Sequence, residues 1–362
     1  MIFRCRGSVA LLLQNGTTVV RGRRRWSVSA TTTVSKATPP ETPIPSSAAN
    51  GLSYGGFCPS CGRQHFLPCT PEAEEAALRL VCDLKRRGTF DFGPSGGPGD
   101  AFDISTLVNP GPGRMLGVLI CEAPDNGSER IVLKAFSGQV GNPPAWTVDG
   151  WVGPIQAITG NHPVYRRYRL LIQGLTRRLE TLSEGIAQAE AASVVPTTGL
   201  RELREQHARL LQERRSCSHE LLNIIQVSYW LPNRTGTRSC MLADVWTARD
   251  SKGENGARTS SNNKTSAGLF PAGTGDCAAP KLLAAAAASG LAPLSMAEVW
   301  FGAPMVERVL TRRHRRCVEA ARKEGQAVYA MTRVTPTRLE GRLYSCCKKC
   351  ERILGWQLCS SP

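Results

Sequence analysis

Between Tyr168 and Ile224 the chain carries two stretches whose seam residues recur at alternating steps of three and four. In the first these are Tyr168, Ile172, Leu175, Leu179, Leu182, Ile186 and Ala189. In the second they are Leu200, Leu203, His207, Leu210, Arg214, Cys217, Leu221 and Ile224. Such spacing puts one seam on each of two helices. Pro196 stands between the stretches and interrupts any continuous helix. Each seam needs a partner, so the pattern predicts an antiparallel helical hairpin, a coiled coil with arms of about 40 Å at ~1.5 Å per residue. The rest of the fold must then be assembled from the segments on either side. His207 and Arg214 read as registry or edge residues of the seam. Arg166, Arg167, Arg177, Arg178, Arg204 and Arg215 crowd the outer surface; they suit a phosphate backbone as well as they suit solvent.

Upstream, "FCPSCGRQHFLPC" offers Cys58, Cys61, His65 and Cys69, four ligands of the types zinc accepts in tetrahedral geometry. The order is that of a zinc knuckle with the last two gaps each one residue short, and a ligand-free reduced turn is the alternative. Thr70 as N-cap, Pro71 at the first helical position, and Ala77, Leu80, Val81 and Leu84 on one face predict a helix closed by Gly88. Met115–Glu122 and Ile131–Phe136 are β-rich runs around a Pro-Asp-Asn-Gly-Ser turn, which predicts a hairpin. Cys82 and Cys121 lie in apolar surroundings and read as core residues.

Downstream, Thr247–Gly268 is polar low-complexity loop. "GTGDCAAPKLLAAAAASGL" then brings Cys277 into the first turn of an alanine-rich helix, with Lys281 on a solvated face. Leu294–Gly302 reads as a strand whose Trp300 and Phe301 close a core, with stacking on a base as the alternative, and Glu307–Gly325 as a very basic helix. Cys347 and Cys350 open a short final helix. Free N–H groups and the helix dipole favour a thiolate at a helix N-terminus. Cys277, Cys347 and Cys350 from two such helices therefore form a candidate three-ligand Zn2+ site with a fourth position for water, the alternative being structural cysteines.

"GDCAAPKLL", "KAFSGQ" and "CKKCERIL" resemble the deaminase superfamily, in its bacterial-toxin and plant organelle-editing branches. Over about Phe57 to Trp356 the chain is also similar to the long N-terminal accessory region of certain bacterial RluA-type pseudouridine synthases. The resemblance implies an α/β, cytidine-deaminase-like three-layer fold interrupted by the helical hairpin. It also implies zinc-dependent nucleobase deamination, with a Glu two residues past the first ligand moving protons. Here Ala279 stands at that position, and Asp276 and Glu298 are the candidates to replace it. The Arg-Leu-Asp core of a pseudouridine synthase is not found in the sequence, so no such activity is carried over.

The 45 Lys+Arg outnumber the 29 Asp+Glu. Seven of these cations fall in the first forty residues, which hold no acid, and the remainder still carries a net +9. That excess favours a polyanionic partner, RNA first. The acid-free, Arg/Ser/Thr-rich start has the composition of a transit peptide, chloroplast ahead of mitochondrion. No apolar run approaches the ~18 residues of a membrane span, so no membrane partner is expected. The expected organisation is transit peptide and linker (1–50), a small Cys/His-rich segment with a helix (51–92), the β-hairpin part of a deaminase-like domain (93–160), the helical insertion (161–232), a flexible linker (233–268) and the zinc-site part (269–362). Two functions fit. One is an organelle zinc-binding, deaminase-like protein of RNA or nucleotide modification, active or degenerate. The other is a non-enzymatic RNA-binding or assembly module whose coiled coil engages RNA or a protein.

Overall fold

Arg114–Glu122 (β3) is buried at every interior position, the mark of a strand covered on both faces. It is the centre of the fold in a computed structural model that describes residues 51–93, 96–97, 99–108, 112–123, 130–158, 160, 162–191, 197–251, 269–309 and 333–361. On one side β3 pairs antiparallel with Arg130–Phe136 (β4), and on the other with Ala292–Phe301 (β7). Leu343–Tyr344 (β10) adds to β7, giving a four-stranded sheet in the order β10-β7-β3-β4. The expected hairpin and strand are both present.

Side chains alternate across a strand, so the two faces can be separated residue by residue. Phe136, Leu116, Val299 and Phe301 share one face. Pro71–Arg87 (α1) covers it: its N-cap Thr70 donates to Ser295 Oγ at 2.9 Å, and Phe90 beyond its C-terminus packs edge-on against Phe136 and Phe301. Both ends of α1 are fixed as its sequence implies. Thr70 accepts from the Ala73 N–H, and Gly88 takes the left-handed conformation (φ 73°) with its N–H on Leu84 O. Gly117 and its cross-strand partner Glu298 lie on the other face, under Ala278–Ala288 (α6). A Cβ at Gly117 would stand 2.8 Å from the Ala278 methyl. The glycine and the alanine-rich helix together allow this close approach.

After the short helix Ser105–Val108 (α2), Pro163–Ala191 (α3) and Thr197–Gln226 (α4) are the two long helices. Tyr168 meets Glu220, Thr176 meets Arg214, and Glu190 meets Arg204, so the helices run in opposite directions. Leu175, Leu179 and Leu210 are buried between them. The base of α4 is tied down by Gln226, whose side chain accepts from the Leu269 N–H at 2.6 Å and donates to Phe270 O.

The last helix, Lys348–Gln357 (α7), crosses the hairpin of Ser53–Phe57 (β1) and Gln64–Pro68 (β2). Backbones touch there. A Cβ on Gly56 would lie 1.9 Å from Glu351 O, and one on Gly355 would lie 2.4 Å from Gly56 O. Trp230–Pro232 (β5), Ser239–Met241 (β6) and Leu242–Ser251 (α5) pack beside α7 around a second core of Tyr229, Leu231, Leu242, Phe270, Ile353 and Trp356.

Some expectations need correcting. Glu307 does not start a helix: Met305–Val309 (β8) pairs with Arg333–Arg338 (β9), and residues 310–332 lie outside the described set. Thr247–Ser251 is the end of α5, not loop, and residues 252–268 lie outside the described set, as does the transit-peptide segment. Cys121 is buried as expected, but Cys82 is exposed on the outer side of α1. Among the described residues no helix is long and apolar enough to cross a membrane.

Candidate metal centre

Cys277 is the N-cap of α6 and Cys347 the N-cap of α7, both with extended backbone (ψ 164° and 159°). Their sulfurs face each other across 3.8 Å. Cys350, in the first turn of α7, completes a group whose ligand atoms all lie within 4.8 Å of one another. The structure thus brings Cys277 to Cys347, seventy residues further along the chain, and to its near neighbour Cys350. Hydrogen bonds from the Cys277 and Cys350 thiols, aided by the Lys349 and Cys350 N–H groups, hold Cys347 far below the usual thiol range. Its partners move the other way: Cys277 and Cys350 are pushed up chiefly through their bonds within the trio, and burial adds to this. A soft cation binding here would displace the protons the thiols carry.

Glu298 comes up from β7 beneath this group and is 3% exposed. Its Oε1 accepts from the Ala279 N–H at 3.0 Å, and its own N–H donates to the Tyr54 hydroxyl at 2.7 Å. Desolvation pushes its carboxyl up to about 7, against the opposing pull of the Ala279 N–H. Asp276 faces elsewhere. It accepts from the Tyr229 hydroxyl at 2.5 Å, and burial raises its carboxyl above the usual range. Neither carboxylate belongs to the group of mutually close ligand atoms.

Lys281 is not solvated. It is 1% exposed, and its Nζ donates to Phe136 O at 2.9 Å and Gly138 O at 3.3 Å, between the Phe136 and Trp146 rings. Burial lowers its ammonium to about 8. Helical periodicity could not reveal this, because α6 is enclosed nearly all round and has no wet face for a lysine at that position.

A second group joins Cys58, Cys61 and His65 to Cys359. Cys69 is not part of it. After His65 the chain continues as extended β2, and four residues of strand span about 13 Å. Cys69 ends in the main core instead, its N–H on Leu52 O at 3.1 Å and its thiol pushed up to about 11 by burial. Cys359, two residues beyond α7, takes its place. In sequence it was one more cysteine in a cysteine-rich tail, with no spacing to mark it.

The chain matches no protein-family model, no curated protein and no solved structure. What the two groups can do rests on their own chemistry. A zinc ion with ~2.3 Å bonds to sulfur in tetrahedral geometry sets its sulfurs about 3.8 Å apart, which is the Cys277–Cys347 separation. The residues present fit such an ion.

Proposed function

We propose that Cys277, Cys347 and Cys350 hold zinc with a fourth position for water, and that the chain is a deaminase-like protein acting on nucleobases of RNA or nucleotides in an organelle, the chloroplast first. The observation that carries this reading is the Glu298 carboxylate on the Ala279 N–H, beside three converging thiols. Ala279 occupies the sequence position where the deaminase pattern has its glutamate. Glu298, from the neighbouring strand, delivers a carboxylate to that same residue. The cytidine-deaminase-like three-layer fold is part of the proposal, supported by α1 and α6 on opposite faces of the sheet.

Bound zinc would supply an activated water for attack on an exocyclic-amine carbon. The protein's share is proton handling. In this reading Glu298, held on the Ala279 N–H, would be the group that handles the protons of the reaction, work worth roughly 10²–10⁴ in rate. Its burial keeps bulk water from short-circuiting the transfer. Asp276, bound to Tyr229, is a positioning residue for the approach to Cys277.

The experiment is ammonia release from cytidine- and adenosine-containing RNA by the zinc-loaded full chain. Activity is expected, with a drop of at least about 100-fold in Glu298→Gln at unchanged zinc content. A zinc-loaded protein that releases no ammonia, yet crosslinks to RNA, selects the second reading: a non-enzymatic RNA-binding or assembly module. The exposed arginines 166, 167, 177, 178, 204 and 215 on α3 and α4 favour that reading.

A further inference from the structure

We propose that Cys58, Cys61, His65 and Cys359 form a closed, four-ligand zinc staple that fastens the C-terminal tail to the β1–β2 hairpin. The reading is independent of what the three-cysteine group does. Its ligand atoms lie within 4.8 Å of one another, with His65 Nε2 3.0 Å from Cys61 Sγ. Cys58 is 0% and Cys359 2% exposed, while Cys61 and His65 are half-buried. Four protein ligands of sulfur and nitrogen fill a tetrahedral shell, which leaves no place for substrate and marks a structural site.

The surroundings are those of a built site. The turn after β1 folds back on itself: Cys58 N–H donates to Arg63 O at 2.8 Å and Gly62 N–H donates to Cys58 O at 2.9 Å. Gly62 supplies the positive φ, 73°, that this reversal needs. The Ser60 and Cys61 N–H groups reach the Cys58 sulfur, and Ser361 reaches the Cys359 sulfur through its N–H and hydroxyl. Such outer bonds orient and stabilise thiolate ligands. Arg234 N–H on Cys359 O at 3.1 Å and Trp356 Nε1 on Leu231 O at 2.9 Å hold the tail in place from the other side. The apolar wall of Tyr229, Ile353, Phe270 and Trp356 excludes water from the inner ligands.

Zinc is measured in the full chain, purified under reducing conditions, for wild type, Cys359→Ser, Cys359→His, Cys69→Ser and Cys350→Ser. Cys359→Ser loses one equivalent and Cys69→Ser loses none. Cys359→His retains the equivalent, because imidazole can replace the thiolate, which separates loss of a ligand from loss of fold. The proposal is overturned by wild-type zinc in Cys359→Ser, by loss of zinc in Cys69→Ser, or by a zinc-free native protein with a Cys58–Cys359 disulfide. Failure of the three-cysteine reading looks different: Cys350→Ser would then leave zinc unchanged while Cys359→Ser still lost its equivalent.

Discussion

Burial penalises the charged form of Lys281. Its ammonium is lowered from 10.5 to about 8 by desolvation, with Asp276 and Cys277 pulling the other way. Below about pH 8 both folded and unfolded chains carry the proton, and the folded chain bears the full burial penalty. Between about 8 and 10.5 the folded lysine sheds its proton while the unfolded one keeps it. Stability then rises with pH over that window. Lys281→Met removes the titration, so the wild type should gain stability relative to the variant as pH rises from about 8 to 10.5. Urea midpoints of both proteins across this range test it; parallel curves would show that the amine titrates normally. At lower pH the variant loses the two carbonyl contacts, about 1.5–3 kcal/mol each, but is also relieved of the penalty for burying the ammonium.

The elements differ in how much they depend on contact with others. The α7–β1 crossing is made by two glycines with no space for a methyl. Gly355→Ala would be favourable in an isolated helix, by about 1 kcal/mol. Here the new Cβ meets Gly56 and Phe57 backbone atoms at 2.4–2.5 Å, so the helix must shift, and overpacking of this kind costs about 1–3 kcal/mol. A net loss of stability in chemical denaturation is expected, and unchanged or increased stability would show that the crossing yields. The α3–α4 pair is the opposite case, since its buried contacts are mostly internal. Leu179→Pro should cost at least about 3 kcal/mol locally and reduce far-ultraviolet helicity, with metal content unchanged. Zinc loss equal to that of a ligand variant would mean that the arm and the centre fold as one unit.

At the scale of the whole molecule, α7 connects the two ligand groups. Cys347 and Cys350 lie at its N-terminus and Cys359 just past its C-terminus, so its ten residues place them about 15 Å apart. The sequence offered all four ligands of the Cys58 group from residues 58–69, whereas the fourth, Cys359, comes from the far end of the chain on α7's C-terminal side. Removing metal with a chelator should raise hydrogen exchange in α7 and β1 together, while the middle of α3 and α4 keeps its protection. Exchange that rose equally everywhere would mark a single cooperative unit, and none in α7 would mean that packing alone holds it.

Elements with local signals could be read from the residues alone. Thr70, Pro71 and Gly88 bound α1 because capping is a matter of a few adjacent residues. The two long helices follow from a seam repeated over seven turns or so, and β3 and β4 from β-rich runs flanking a turn. Cys277, Cys347 and Cys350 were legible as a set because each marks a helix start. Whatever depends on residues meeting from afar came from the folded arrangement. It put Glu298 under Ala279 through strand pairing with Gly117, and enclosed Lys281 by packing α6 on the sheet. It also exchanged Cys69 for Cys359. An extended strand carries the nearer cysteine away, and a helix crossing on two glycines brings the distant one in.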